Sequence, residues 1–137
     1  MNPSAAAQYG AYRQTQIQSA SPVELVVMLY RGAIRFTKVG IDGVNRRDVP
    51  AAHNGFVRAQ DIVSELATTL DFERGGEVAE QLSAIYAFVM KLLLEANVRK
   101  SVTPGEHAVR LLESLLSSWE QLSRAQKSSS PTALPAS

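Results

Sequence analysis

The chain has 137 residues, a formal net charge of +1, 20% charged residues and no cysteine. That length supports one domain with its own core, and a near-neutral balance without a basic run argues against nucleic-acid binding. The lack of cysteine removes disulfides, thiolate metal sites and a cysteine nucleophile, and it fits a reducing cytoplasm. No apolar run approaches the ~18 residues of a membrane span, and no charged-then-apolar leader opens the sequence, so neither membrane insertion nor a secretory signal is expected.

Residues 1–20, MNPSAAAQYGAYRQTQIQSA, carry Arg13 as their one charge. They lack helical periodicity and read as a flexible arm. Tyr9, Tyr12 and Ile17 are its notable apolar side chains. Two readings stay open: an unstructured terminus, or an arm that lies on an apolar surface and can be displaced.

Ser21, Pro22 and Glu24 have the spacing of a capping box and start a helix running to about Arg46. At 100° per residue, Glu24, Arg31, Arg35, Lys38 and Asp42 share one polar arc. The remaining positions are apolar or small, over roughly 240° against the ≳100° stripe of an ordinary surface helix. Such a helix is either wrapped by neighbours, or has a binding partner, or both.

Asp48 and Val49-Pro50 restart the chain as a second helix. Ala52, Phe56, Ala59, Val63, Leu66 and Leu70 recur at alternating spacings of four and three, a seam for one partner surface. Val57 and Ile62 stand outside that seam. Asp71 to Gly76 breaks the pattern, with paired glycines at a tight connection. A third helix is expected from about Glu77 to Asn97, its core stripe being Val78, Leu82, Ile85, Val89, Leu92, Leu93 and Ala96. Phe88 falls inside its polar arc. Thr103-Pro104-Gly105-Glu106 repeats the capping-box pattern and starts a fourth helix. Its stripe is Ala108, Val109, Leu111, Leu112, Leu115, Leu116, Trp119 and Leu122, with Glu106–Arg110 and Glu120–Arg124 as solvated i,i+4 pairs. From Lys127 the chain reads as a low-complexity tail.

Helices joined by short connections are antiparallel neighbours. The expected fold is all-α: an antiparallel up-down four-helix bundle over residues 21–126, preceded by the arm 1–20 and followed by a disordered tail, 127–137.

Catalysis requires convergent groups with tuned proton affinities. His53 and His107 lie near helix starts without a second ligand at helical spacing, and read as lone surface histidines. Inward Glu-x-x-His pairs of a di-iron bundle are missing, and Gly75-Gly76 and Gly105 fit neither phosphate-loop pattern. The sequence gives no reason to expect an active site, a metal or a cofactor. Apolar surface beyond the needs of one core remains, and bundle grooves commonly take up amphipathic helices or extended segments.

Tyr9 and Tyr12 ahead of Ser21-Pro22, ELVVMLYRGAIRF (24–36), AQDIVSELATTLDFERGG (59–76), Tyr86 with LLLEAN (92–97) and a late Trp119 form an ordered set of blocks. Together they resemble the flagellar secretion chaperone family, FliS, over about Tyr9 to Gln126. One departure is local: Val-Arg-Lys-Ser follows Glu-Ala-Asn where the family tends to place an acidic residue near Ser101, which bears on the entry into helix four.

The resemblance implies a cytoplasmic export chaperone on a four-helix bundle, often with a short N-terminal helix. It implies binding of flagellin's C-terminal segment, protection from premature polymerisation, and delivery to the flagellar type III export apparatus. An export-gate component or a regulatory co-chaperone is a further partner it suggests, and monomer and homodimer both stay open. The client-binding residues expected here are Ile17, Val26, Leu29, Tyr30, Ile34, Val57, Ile62 and Phe88, with Tyr9 and Tyr12 as an N-terminal cover. A helical-bundle adaptor for a different flagellar or regulatory protein would show the same pattern.

Overall fold

The computed structural model describes residues 21–128; Tyr9, Tyr12 and Ile17 lie outside the described residues. Those residues form helices α1 (Pro22–Asn45), α2 (Val49–Thr68), α3 (Phe72–Arg99) and α4 (Val102–Ser128), with no strand among them. Sequential helices are antiparallel. α1 packs on α2 and α4, α2 on α3, and α3 on α4, so the four close a square with α1 and α3 on one diagonal.

The helix starts follow from local chemistry. Ser21 Oγ accepts from the Glu24 N–H at 3.1 Å, and Pro22 stands at the first helical position, where no intrahelical N–H is needed. Asp48 accepts from the Ala51 N–H at 3.0 Å and starts α2. Asp71 accepts from the N–H groups of Glu73 and Arg74 and starts α3. The stretch expected to be a plain connection is therefore the first turn of α3. The break falls inside the helix, at Gly76 (φ 49°, ψ −122°), where a residue without Cβ tolerates positive φ.

That break corrects the third stripe. Val78 is 62% exposed, not core, because the helical path changes at Gly76 and residues 72–78 all lie outside the packed interior. From Ala79 onward the expected face holds: Val89, Leu92, Leu93 and Ala96 are buried. Helix four also starts earlier than expected, at Val102, so Thr103 is a helical residue rather than a cap. Pro104 then occupies the first turn, where its missing N–H costs no bond. α4 continues through Lys127, whose Nζ lies 3.6 Å from a Glu24 carboxylate oxygen. Leu122, expected in the fourth stripe, is exposed.

The core joins the α2 seam (Ala52, Phe56, Ala59, Val63 and Leu66) to Tyr30 and Ala33 of α1 and Ala108 and Leu112 of α4. α1 and α2 approach closely because Gly40 and Gly43 face Gly55 and Ala52. A Cβ on Gly55 would sit 2.7 Å from Gly40 Cα and 2.9 Å from the Phe36 carbonyl oxygen. The square's interior is tied across its diagonal by Tyr30 and Tyr86, whose hydroxyls hydrogen-bond at 2.7 Å. Their rings meet edge-on at 6.1 Å, and Trp119 lies 6.4 Å from Tyr30. Among the described residues no buried side-chain polar atom lacks a partner.

Candidate functional site: the groove between α1 and α4

α1 and α4 meet closely where Gly105 lies against Ile41, and further along α4 presents Leu116 beside α1. A groove of about 540 Å³ opens between them, floored by Ile34, Val39 and Leu116 and rimmed by Arg31, Arg35, Lys38, Asp42 and Glu113. A second stretch of about 270 Å³ includes Val27, Met28, Ser123 and Arg124 and shares Arg31 with the first, so the two run end to end. The floor is apolar and the walls are charged, the pattern that receives an amphipathic segment.

Besides Lys127–Glu24 at its far end, two ion pairs cross between the helices here. Arg31 meets Glu120 at 2.6 Å and Lys38 meets Glu113 at 3.8 Å. Arg31 and Lys38 are seven residues apart, two helical turns or ~10 Å. Their side chains are 60% exposed, so the pairs position the helices more than they stabilise them. Glu120 was expected to pair with Arg124 on its own helix; it reaches α1 instead. Glu106 and Arg110 form no ion pair, because one shorter than 4.0 Å does not occur between them.

The expected client residues are not gathered on one face. Tyr30 is fully buried, so the contact expected of it has no surface to act through in this fold. Val26 is likewise core, at 8% exposure. Both are taken inward because α1 has neighbours on two sides and core across its inner face. Ile34 sits at the groove floor. Leu29 and Ile62 are partly buried against the core, Ile62 on the α2 side with its Cδ1 close to Gly32. Val57 is half-buried on α2. Phe88, 44% exposed, lies on the neighbouring α3/α4 face, with its ring edge-on to His107 at 5.5 Å.

Val39 and Leu116 were missed as groove residues. The available signal was the pair of leucine doublets, 111–112 and 115–116, which make the α4 stripe too wide for one buried face. Val39 stands among Arg35, Lys38 and Asp42 on the helical wheel, away from the core.

The histidines are not alone. The Asn97 amide N–H donates to His53 Nδ1 at 3.0 Å, which leaves the ring proton on Nε2, while Asn97 Oδ1 accepts from Lys100 Nζ at 2.7 Å. Neither this cluster nor His107 beside Phe88 provides a nucleophile with a base. Among the described residues no three His, Asp or Glu side chains gather as a metal-ligand set, and no helix is long and apolar enough to cross a membrane.

A four-helix bundle with an apolar groove walled by charge has the form of a module that takes up a protein segment. Residues 5–126 match the family model described as flagellar protein FliS. The chain is 33% identical to the flagellar secretion chaperone FliS of Campylobacter jejuni, over 83% of this chain and 89% of that one. It is 33% identical to its namesake in Salmonella typhimurium over 82% and 87%, and 25% identical to that of Bacillus subtilis over 87% and 88%. The chain belongs to the FliS family of flagellar secretion chaperones.

Proposed function

We propose that this chain is the cytoplasmic export chaperone of a flagellin. It binds the C-terminal segment of that flagellin, keeps it from polymerising early, and supports its delivery to the flagellar type III export apparatus. Family membership over residues 5–126 carries the choice of client. The α1/α4 groove supplies a physical means. Flagellin subunits assemble through amphipathic terminal helices, and an apolar groove competes for the same faces.

In this reading Ile34, Val39 and Leu116 take the client's apolar side chains. Phe88, Val57 and the exposed edge of Ile62 are further contacts for a segment that continues around the bundle. The chain acts by binding and carries out no catalytic step. Ordering a disordered segment costs about 2–5 kcal/mol of the gross interaction, which keeps the complex releasable.

The direct test is a seeded polymerisation assay on purified flagellin followed by light scattering. An equimolar amount of the chain should hold back filament growth, and a flagellin lacking its C-terminal segment should not be retained on the immobilised chain. Unchanged growth at equimolar chain would refute the reading.

A further inference from the structure

The floor of the stretch lined by Ile34, Val39 and Leu116 is apolar, so it offers little to fix the position of a client along it. Charge beside the groove can do so. Arg35 lines the groove on α1. Its guanidinium Cζ lies 5.0 Å from the centroid of the Phe36 ring, and Arg58 of α2 lies 5.4 Å from the same centroid. Two guanidinium groups from neighbouring helices are thus held on one aromatic ring.

Both arginines are exposed, and neither has a carboxylate within ion-pairing distance among the described residues. Arg31 and Lys38, which line the same stretch as Arg35, differ: Arg31 has Glu120 and Lys38 has Glu113. Asp61 and Glu65, which follow Arg58 on α2, form no ion pair with it. Two like charges that share one ring, 5.0 and 5.4 Å from its centroid, repel each other weakly and have no counter-charge of their own among the described residues. The ring offsets this only in part, since a cation–π contact at an exposed site is worth about 0.5–1 kcal/mol. A carboxylate placed there relieves the repulsion and finds planar donors already restrained by the ring.

Resting on the proposed function above, we infer that the Arg35–Phe36–Arg58 arrangement reads an acidic side chain of the client and so sets the client's register in the α1/α4 groove. The occupant is an amphipathic segment whose apolar face enters the groove and whose flank carries an Asp or Glu.

The test is a fluorescence-anisotropy titration of the full chain with a labelled C-terminal flagellin fragment. Arg35→Glu with Arg58→Glu should weaken binding by about tenfold at low salt, and the loss should shrink as salt screens the charges. Melting of that variant should stay near wild type, because both side chains are exposed. A series of fragments with single carboxylates changed to Lys should contain one that binds the charge-reversed chain better than it binds the wild type. Equal affinity for wild type and variant, with no fragment rescuing, would overturn the inference while leaving the client reading intact: the arginines would then only cover Phe36. A fragment that fails to bind wild-type chain would remove the client reading, and this inference with it.

Discussion

The Tyr30–Tyr86 hydroxyl pair gives the sharpest energetic test of the interior. The two residues are 0% and 2% exposed, and their hydroxyls meet at 2.7 Å across the diagonal of the square. Tyr30→Phe leaves the Tyr86 hydroxyl buried with no protein partner, whereas after Tyr86→Phe the Tyr30 hydroxyl keeps the Trp119 indole N–H. Removing one partner of a buried hydrogen bond costs about 1–3 kcal/mol, while removing both polar groups together is close to neutral. Tyr30→Phe should therefore lose about 1.5 kcal/mol, roughly 6 °C in melting temperature for a domain of this size, and Tyr86→Phe less. The double variant should lose no more than Tyr30→Phe alone. Urea unfolding followed by circular dichroism, run as a double-mutant cycle, reads the difference directly. Additive losses, with the double variant losing the sum of the two single ones, would refute the pair as one unit.

The same pair predicts an alkaline limit. Burial pushes both phenols above their ordinary value of 10.0, and the hydrogen bond that Tyr86 donates to Tyr30 adds to the rise at Tyr86. The unfolded chain then releases these protons near pH 10 while the folded chain keeps them, so stability is intact below that pH and falls as pH rises through it. Melting curves from pH 8 to 11 should show a steeper decline for wild type than for Tyr30→Phe/Tyr86→Phe, and parallel declines would contradict the assignment. Gly55→Ala should destabilise by about 2 kcal/mol, since the added Cβ meets backbone and forces α1 from α2 despite a helix-propensity gain of about 1 kcal/mol. Gly32→Ala should be neutral or stabilising in the same melts, because its Cβ meets only Ile62 Cδ1, the end of a flexible side chain, at 3.2 Å. Asp48→Ala, which removes the cap of α2, should cost about 1 kcal/mol in urea unfolding.

Much of the fold is legible in the pattern of apolar residues. The seam is buried from Ala52 through Phe56, Ala59 and Val63 to Leu66 because these members repeat at helical spacing with no competing signal, while Leu70, its expected last member, lies beyond the end of α2 and is only partly buried. Caps at Ser21 and Asp48 are equally plain, since a short side-chain acceptor before a proline has few other uses. The errors have local causes. Asp71 was a cap disguised by the glycines that follow it, and Gly76 turned the helix so that Val78 left the core. Ser101 and Val102 carried no marker for the start of α4 that outweighed the Thr103–Glu106 spacing.

The candidate site was less legible than the fold. A wide apolar arc shows that α1 has excess apolar surface, but not which side chains its neighbours cover. Tyr30 illustrates the difficulty, because its polar tip suits both an interface and a buried hydroxyl pair. Only the position of Tyr86 on the facing helix decides between them. Ile34 reached the groove because it lies between the inner face and the polar arc of α1. Val39 was hidden by its charged neighbours, although those same neighbours mark the groove's edge.

Calorimetric titration of a C-terminal flagellin fragment into wild-type chain and into Val39→Gln tests the central claim most directly. Val39 is 44% exposed, so the substitution leaves the core untouched while making the groove floor polar. The account predicts one-to-one binding to wild type with a negative heat-capacity change, weakened about fivefold or more by Val39→Gln at unchanged melting temperature. Equal affinity for the two chains would place the client elsewhere on the bundle and contradict the α1/α4 groove as its site.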